Sequence, residues 1–326
     1  MNHYNIVKLK FLSPLHVGRG LGEAYDMAER TLHSDTVSGA LTAVFCELFP
    51  GEDPLDFMNK YRVSSAFPYY DQHYFLPRPL TKMNLSLSGI EEYTQKKKLK
   101  KIEYIEIPLW QRMFSGEPIQ VAEENLSKNG KFLFNGKAPE EVPYKDEVQQ
   151  RVAVPGNGEN SKPYYLERRF FSQKAGLYFF LDAAEELNEK MKTILNYLGD
   201  MGFGTDKSVG NGQFEHKTAS LELEMYGNFT KQMLISLVCP AQEEISVEML
   251  TAASYQLVQR GGFIAGTSVN QFRHLRKKSL YMFTEGSVFP AGNLFGKIEN
   301  VRPEWNDDRL HPVYRDGRAF VLPFKL

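Results

Sequence analysis

Apolar and polar residues alternate from Tyr4 to Leu12, with Asn5, Val7, Leu9 and Phe11 on one side and Tyr4, Ile6, Lys8 and Lys10 on the other. That period predicts a half-buried β-strand. A loop follows, Ser13-Pro14-Leu15-His16-Val17-Gly18-Arg19-Gly20. From Ser34 or Asp35 the period changes: Val37, Ala40, Leu41, Val44, Phe45 and Leu48 form the stripe of an amphipathic helix. Ser34 or Asp35 is expected as its N-cap, and Pro50-Gly51 as its stop. Val63 to Leu76 reads as two short strands ending at Pro77 and Pro79. Further on, Arg168 to Leu181 reads as one strand. A helix from Asp182 to about Leu198 carries Leu187, Met191, Ile194, Leu195 and Leu198 on one face, and Gln213 to Met225 alternates again.

The first half is thus β-α-β, an insertion, then β-α-β. The insertion, Thr81 to Lys162, has weak apolar periodicity outside Ile102 to Trp110, a lysine run, and turns at Asn129-Gly130, Asn135-Gly136 and Pro155-Gly156. It is expected to be part hairpin and part mobile, projecting from a compact body. The second half opens with a strand, Met233 to Val238, then a helix from Ser246 to Arg260 stopped by Gly261-Gly262. Strand-like runs follow at Phe263 to Thr267, Leu280 to Phe283, Ser287 to Phe289, Phe295 to Val301 and Arg318 to Phe324. The predicted fold is α+β: tandem ferredoxin-like, RNA-recognition-like modules with antiparallel sheets, residues 1–225 with the insertion and 226–326 as a degraded second copy.

The stretch GFGTDKSVGNGQF, Gly202 to Phe214, is the strongest chemical signal. Gly202, Gly204, Gly210 and Gly212 surround Phe203, Thr205, Asp206, Lys207 and Ser208. Glycines let backbone N–H groups converge into an anion site, and Lys207 adds a cation suited to phosphate. The spacing fits neither a Walker A loop nor the dinucleotide fingerprint, and the loop follows a helix rather than a strand. The residues alone leave open a helix C-cap running into a hairpin.

Composition narrows the classes. With 39 basic and 40 acidic residues the formal charge is −1, against bulk polyanion binding but compatible with a local basic groove. The 23 Phe and 17 Tyr suit strands and base stacking. Basic clusters stand at Lys96 to Lys101, Arg168-Arg169, and Arg273, Arg276, Lys277 and Lys278. Cys46 and Cys239 have no metal-ligand spacing and read as buried thiols of a cytoplasmic protein. No metal or other cofactor is expected. The histidines show no metal pairing; His16, Asp26, His33 and Asp35 lie close enough in sequence to consider acid–base cleavage of RNA, but no base is fixed by spacing.

SPLHVGRG, LHSDTVSGAL and GFGTDKSVGNGQF resemble motifs of the RAMP superfamily of CRISPR proteins. RGGF, KKSLYMFTEGSVF and HPVYRDGRAFVLP are similar to those of the fourth-subunit family of type III-A (Csm) effectors. That resemblance implies a non-catalytic subunit that grips the 5′ tag of the crRNA and bridges the large Cas10-type subunit to the first backbone RAMP subunit. It makes residues 81–162 a thumb-like element. It implies phosphate contacts from Gly202 to Gly212 and from His16, Gly18, Arg19, Gly20, Ser34 and Asp35, with Arg168, Arg169, Arg273 and Lys277 contributing. Repeat-processing RAMP nucleases use a histidine in the region of His16 and His33, and backbone RAMP subunits an aspartate near the place of Asp26. The alternative is a metal-independent RAMP endoribonuclease that processes CRISPR repeat RNA, with His16, His33 and Asp26 as its candidate catalytic residues.

Overall fold

The computed structural model describes residues 2–18, 27–89, 91–153, 161–224, 229–264, 272, 275–304, 307 and 309–324. In chain order come β1 (Asn2–Phe11), α1 (Ser34–Leu48), α2 (Pro54–Asn59), β2 (Tyr61–Val63), β3 (Phe67–Tyr70) and β4 (His73–Pro77). Next are β5 (Leu85–Leu87), α3 (Glu92–Lys101), β6 (Tyr104–Glu106), α4 (Ile107–Phe114), β7 (Ile119–Val121) and β8 (Phe132–Leu133). The ten-residue strands β9 (Tyr144–Ala153) and β10 (Lys162–Phe171) pair antiparallel along their whole length. β11 (Ala175–Ala183), α5 (Asn188–Met201) and β12 (Phe214–Leu223) complete the first half.

The fold is mixed α+β. Its main sheet runs β12-β1-β11-β3-β4-β6-β8, with β2 also on β11. The pairs from β12 to β6 are antiparallel, and only β6 with β8 is parallel. Alternation decides which side chains go where. Val7, Leu9, Leu177 and Phe179 face α1 and α5 and pack on Val37, Leu41, Ile194 and Leu198. Ile6, Tyr178 and Phe180 face the other way, onto Phe67, Phe75, Trp110 and residues of the C-terminal half. Burial on both faces explains why β11 is apolar almost without interruption rather than alternating.

Three expectations are corrected here. Residues 81–162 do not simply project: Ile102, Ile105, Trp110, Phe114, Phe132 and Phe134 are core residues, and β6 and β8 extend the sheet. The β9–β10 ribbon does stand out, with Val148, Val152, Tyr164 and Tyr165 exposed. Arg168 to Leu181 is not one strand; the chain reverses at Ser172, whose carbonyl accepts from the Ala175 N–H at 3.0 Å, because the polar Ser172-Gln173-Lys174 breaks the apolar run. Finally, His33 holds the N-cap position of α1 without a side-chain capping bond, and Ser34 is the first helical residue.

The C-terminal half contains β13 (Lys231–Leu234), α6 (Val247–Ala252), β14 (Leu257–Arg260), β15 (Leu280–Phe283), β16 (Val288–Pro290), β17 (Gly296–Asn300), β18 (Tyr314–Arg318) and β19 (Val321–Phe324). Ser246 caps α6 by accepting from the Met249 N–H at 3.1 Å. The expected helix to Arg260 ends early. Ser254 bridges to Val288, and Tyr255 packs on Phe283 and Phe289 with ring centroids 5.1 and 6.0 Å away, which draws the chain into a β14–β15 pair. A three-stranded sheet, β16-β13-β19, packs Met233 and Leu322 against the first half. Cys46 points to solvent and Cys239 is half-buried, so neither is the buried thiol expected.

Candidate nucleic-acid interface

The glycine loop starts where α5 stops. The Gly202 N–H donates to Leu198 O at 2.7 Å, and Phe203 then dives into the core, fully buried and stacked on Phe214 at 5.2 Å. Phe203 is therefore a core aromatic and not an RNA-stacking one, a correction. The loop folds onto the segment after β1: Thr205 N–H donates to His16 O (3.0 Å), Gly212 N–H to Pro14 O (2.8 Å), and Phe203 N–H to Gly212 O (2.9 Å). Gly204 and Gly212 are required by this crossing. A Cβ on Gly204 would overlap His16 O and one on Gly212 would overlap Phe203 O, and both residues have φ near +80°.

Most amides of the loop are thus used within the chain, which corrects the expectation of an open ribbon of donors. The exception is its tip. Asp206 is left-handed (φ 58°) and runs into one 3-10 turn, Lys207–Val209. Alternation of this kind gathers successive N–H groups. Among the described residues, the amides of Asp206, Lys207 and Ser208 have no acceptor. Thr205 and Ser208 are exposed, and Val209 is 72% exposed. Lys207 is half-buried with no ion pair among the described residues; burial lowers its pKa, opposed only by the charge of Glu47.

The base of the β9–β10 ribbon forms the facing wall. Arg168 donates to Asn211 Oδ1 (3.2 Å) and to Gln149, and lies over the Phe170 ring. Burial lowers its pKa, and neighbouring Arg151 adds to this against the pull of Asp206. Among the described residues, Arg168 Nε and Asn211 Nδ2 are buried without a partner. Asn211 escaped the sequence reading, since a lone Asn between glycines looks like any turn residue. Arg169 is different: it pairs with Asp146 (2.7 and 3.1 Å), donates to Arg30 O (2.7 Å) and stacks over Tyr144 (3.8 Å). Despite the cost of burial, Tyr144 and Asp146 raise its pKa. It holds the ribbon to the body and is not available to a backbone phosphate, a second correction.

His16 lies beneath the loop, 1% exposed, its Nδ1 2.5 Å from Glu167 O. Gly18 lies nearby, where a Cβ would touch Thr205. Between this segment and the ribbon base is a pocket of about 340 Å³, lined by Leu15, Glu29, Lys131, Asp146, Glu167 and Arg169. Arg19, Gly20, Asp26 and Arg273 lie outside the described residues.

The second expected anion site, at the start of α1, is filled by the chain itself. Ser34 N–H donates to Ser65 Oγ (2.8 Å), and Ser34 Oγ accepts from Leu237 N–H (2.9 Å). Asp35 binds Arg260 (3.0 and 3.1 Å) and Arg315. Burial opposes its charge, yet the two guanidiniums hold its carboxyl well below the usual range. His33 Nδ1 lies 2.7 Å from Glu285; burial opposes its protonation, but that carboxylate raises its pKa overall. The structure therefore turns Ser34 and Asp35 into a buried junction between the halves. It brings Lys277 beside them, its pKa pushed down to about 8 by burial and by Arg315 and Arg260.

An antiparallel sheet covered by two helices, with a glycine loop closing the second β-α-β unit, is the arrangement of a RAMP protein. The profile of the RAMP superfamily matches residues 8–215, and that of the CRISPR Csm4 C-terminal domain matches residues 228–324. The chain belongs to the RAMP superfamily and carries a C-terminal domain of the Csm4 kind. Its relatives include the CRISPR system Cms protein Csm4 of Thermococcus onnurineus, 26% identical over 83% of this chain and 82% of that one. The protein of the same description from Streptococcus thermophilus is 25% identical over 88% and 89%. The fold is similar to a chain of a Csm3-Csm4 subcomplex in the type III-A CRISPR-Cas interference complex (TM-score 0.64, 18% identity, all of both chains). It is also similar to one in a Csm1-Csm4 cassette with cA4 (TM-score 0.63, 20% identity, 100% and 99% covered). Among the described residues no helix is long and apolar enough to cross a membrane.

Proposed function

We propose that this chain is a non-catalytic, cytoplasmic subunit of a type III-A CRISPR effector that binds the 5′ tag of the crRNA and bridges the large Cas10-type subunit to the backbone RAMP filament. The observation that carries the reading is the loop tip. Among the described residues, three successive amides, Asp206 to Ser208, have no acceptor and the half-buried Lys207 has no ion pair, while Arg168 of the ribbon base bonds Asn211 of the same loop and feels the charge of Asp206. This is a receptor for a backbone phosphate. The relatives named above, and the solved chains assembled with Csm1 or Csm3, support the assembly role. Both histidines considered for cleavage are buried and already bonded within the chain, which favours binding over catalysis.

The same reading divides the chain near residue 225 and treats the second half as a reduced ferredoxin-like module. The order β19-β13-β16, extended by the single Ser254–Val288 bridge, follows the first module's β12-β1-β11-β3, and the β17–β18 hairpin takes the place of the second helix. The test is co-expression with the other effector subunits and a crRNA, then crosslinking through 4-thiouridine placed in the tag. Crosslinks at Thr205 to Val209 support the reading. Assembly with the guide crosslinked only to other subunits overturns it.

A further inference from the structure

Helix α3 buries none of its ten residues, although it carries Lys96, Lys97, Lys98, Lys100 and Lys101. Of its two apolar residues Leu99 is partly buried against the core and Tyr93 is exposed, so the helix has little of the usual source of stability. Its own charges work against it as well. Lys96–Lys100 and Lys97–Lys101 are i,i+4 like-charge pairs, which weaken a helix. Glu92 pairs with Lys96 (2.6 Å), and Glu123 with Lys98. Among the described residues, Lys97, Lys100 and Lys101 have no carboxylate partner. The helix is fixed at its C-terminal end instead, where Arg78 donates to Leu99 O (3.1 Å) and Lys100 O (3.3 Å). Tyr93 is 69% exposed on the same helix, with Lys97 Nζ 4.4 Å from its ring centre.

We infer that α3 is a second RNA contact, separate from the glycine loop, which takes single-stranded RNA without sequence preference. An exposed aromatic among lysines is a stacking platform with phosphate contacts on either side. A protein partner fits less well, because the buried centres of protein interfaces are depleted in lysine, and Tyr93 stands among five lysines on this helix. The two sites are well apart. Five strand spacings of ~4.8 Å separate β12, which follows the glycine loop, from β6, which follows α3, or roughly 24 Å across the sheet. One phosphate cannot serve both.

The experiment compares the full chain with K97Q/K100Q/K101Q and with Y93A. It reads fluorescence anisotropy on an oligouridylate that contains no repeat sequence, across a salt series. Losing three phosphate contacts lowers the salt slope by about 2, and Y93A weakens binding with little change in slope. The triple variant removes like-charge pairs but also the Lys97–Tyr93 contact and two lysines of the last turn, so thermal melts are read beside binding, and a loss of binding at an unchanged midpoint is not a loss of fold. K207A, measured in the same series on a 5′-tagged crRNA, reports on the glycine loop independently. Unchanged affinity and slope in the triple variant overturn the proposal. So does unchanged RNA binding with loss of a co-purifying subunit, which makes the helix a site for an acidic protein surface.

Discussion

Gly204 lies directly against the carbonyl of His16: there is no room for a Cβ between them, and Thr205 beside it donates its N–H to that same oxygen. The glycine loop and the segment after β1 are therefore one built unit. Gly204→Val must break the crossing and adopt an unfavourable φ, so it is expected to cost several kcal/mol and abolish guide binding. Gly210 also has positive φ but faces open space, the nearest side-chain atom being 3.9 Å from a Cβ placed there. Gly210→Ala should cost only the left-handed backbone penalty, about 1–2 kcal/mol. Urea unfolding of the two variants checks this. Equal losses would show that positive φ alone sets the cost and that the crossing adds nothing to it.

Lys207 is the cation at the tip. Removing one phosphate contact lowers the slope of log affinity against log salt by about 0.7 for a single strand, and Lys207→Ala is expected to do so with the folding midpoint unchanged. Because burial lowers the lysine's pKa, guide affinity should decline with rising pH earlier than an ordinary lysine would impose. Lys207→Arg, which stays charged, should remove that decline. A wild-type pH profile identical to that of the arginine variant counts against Lys207 as the contact.

Much of this was legible from periodicity. The alternation of Tyr4 to Leu12 and the stripe from Val37 to Leu48 give the first strand and helix because Val7 and Leu9 pack on the buried stripe of α1; that Ile6 is also buried, on the opposite face, does not show in the alternation. Arg168 and Arg169 show where such reading stops. They are adjacent and identical in sequence, yet one faces the glycine loop and the other a carboxylate, because neighbours on a strand point to opposite faces. The packing of residues 102–134 was hidden because their core contacts are long-range and their elements too short to show a period. The six residues of α6 are similarly too few to distinguish from the strand that follows.

Asn211 joins the two walls of the site. Asn211→Ala removes the acceptor for Arg168 and leaves a buried guanidinium donor unpaired, a loss of roughly 1–3 kcal/mol. Thermal melts measure that. If Arg168 lies along the path of the guide, the same variant should also shift crosslinks on the ribbon, at Tyr164 or Tyr165, which are exposed there. Unaltered crosslinks would confine Asn211 to stability.

The junction between the halves sets the pH dependence of stability. His33 has a folded pKa raised above its unfolded value of about 6.5. Its pairing with Glu285 therefore stabilises fully below pH ~6.5 and is lost as pH rises through the folded value. Asp35 acts in the opposite sense. Its folded pKa is depressed, so its contribution is present above the unfolded value of about 3.9 and is lost as pH falls toward the folded one. Stability should peak between these limits. His33→Gln is expected to flatten the alkaline decline and leave the acid limb intact. Asp35→Asn leaves Arg260 and Arg315 buried without their shared carboxylate, at a cost of about 3–5 kcal/mol, and flattens the acid limb. Urea midpoints measured from pH 2 to 9 separate the two; an alkaline decline that survives in His33→Gln would assign it to another group.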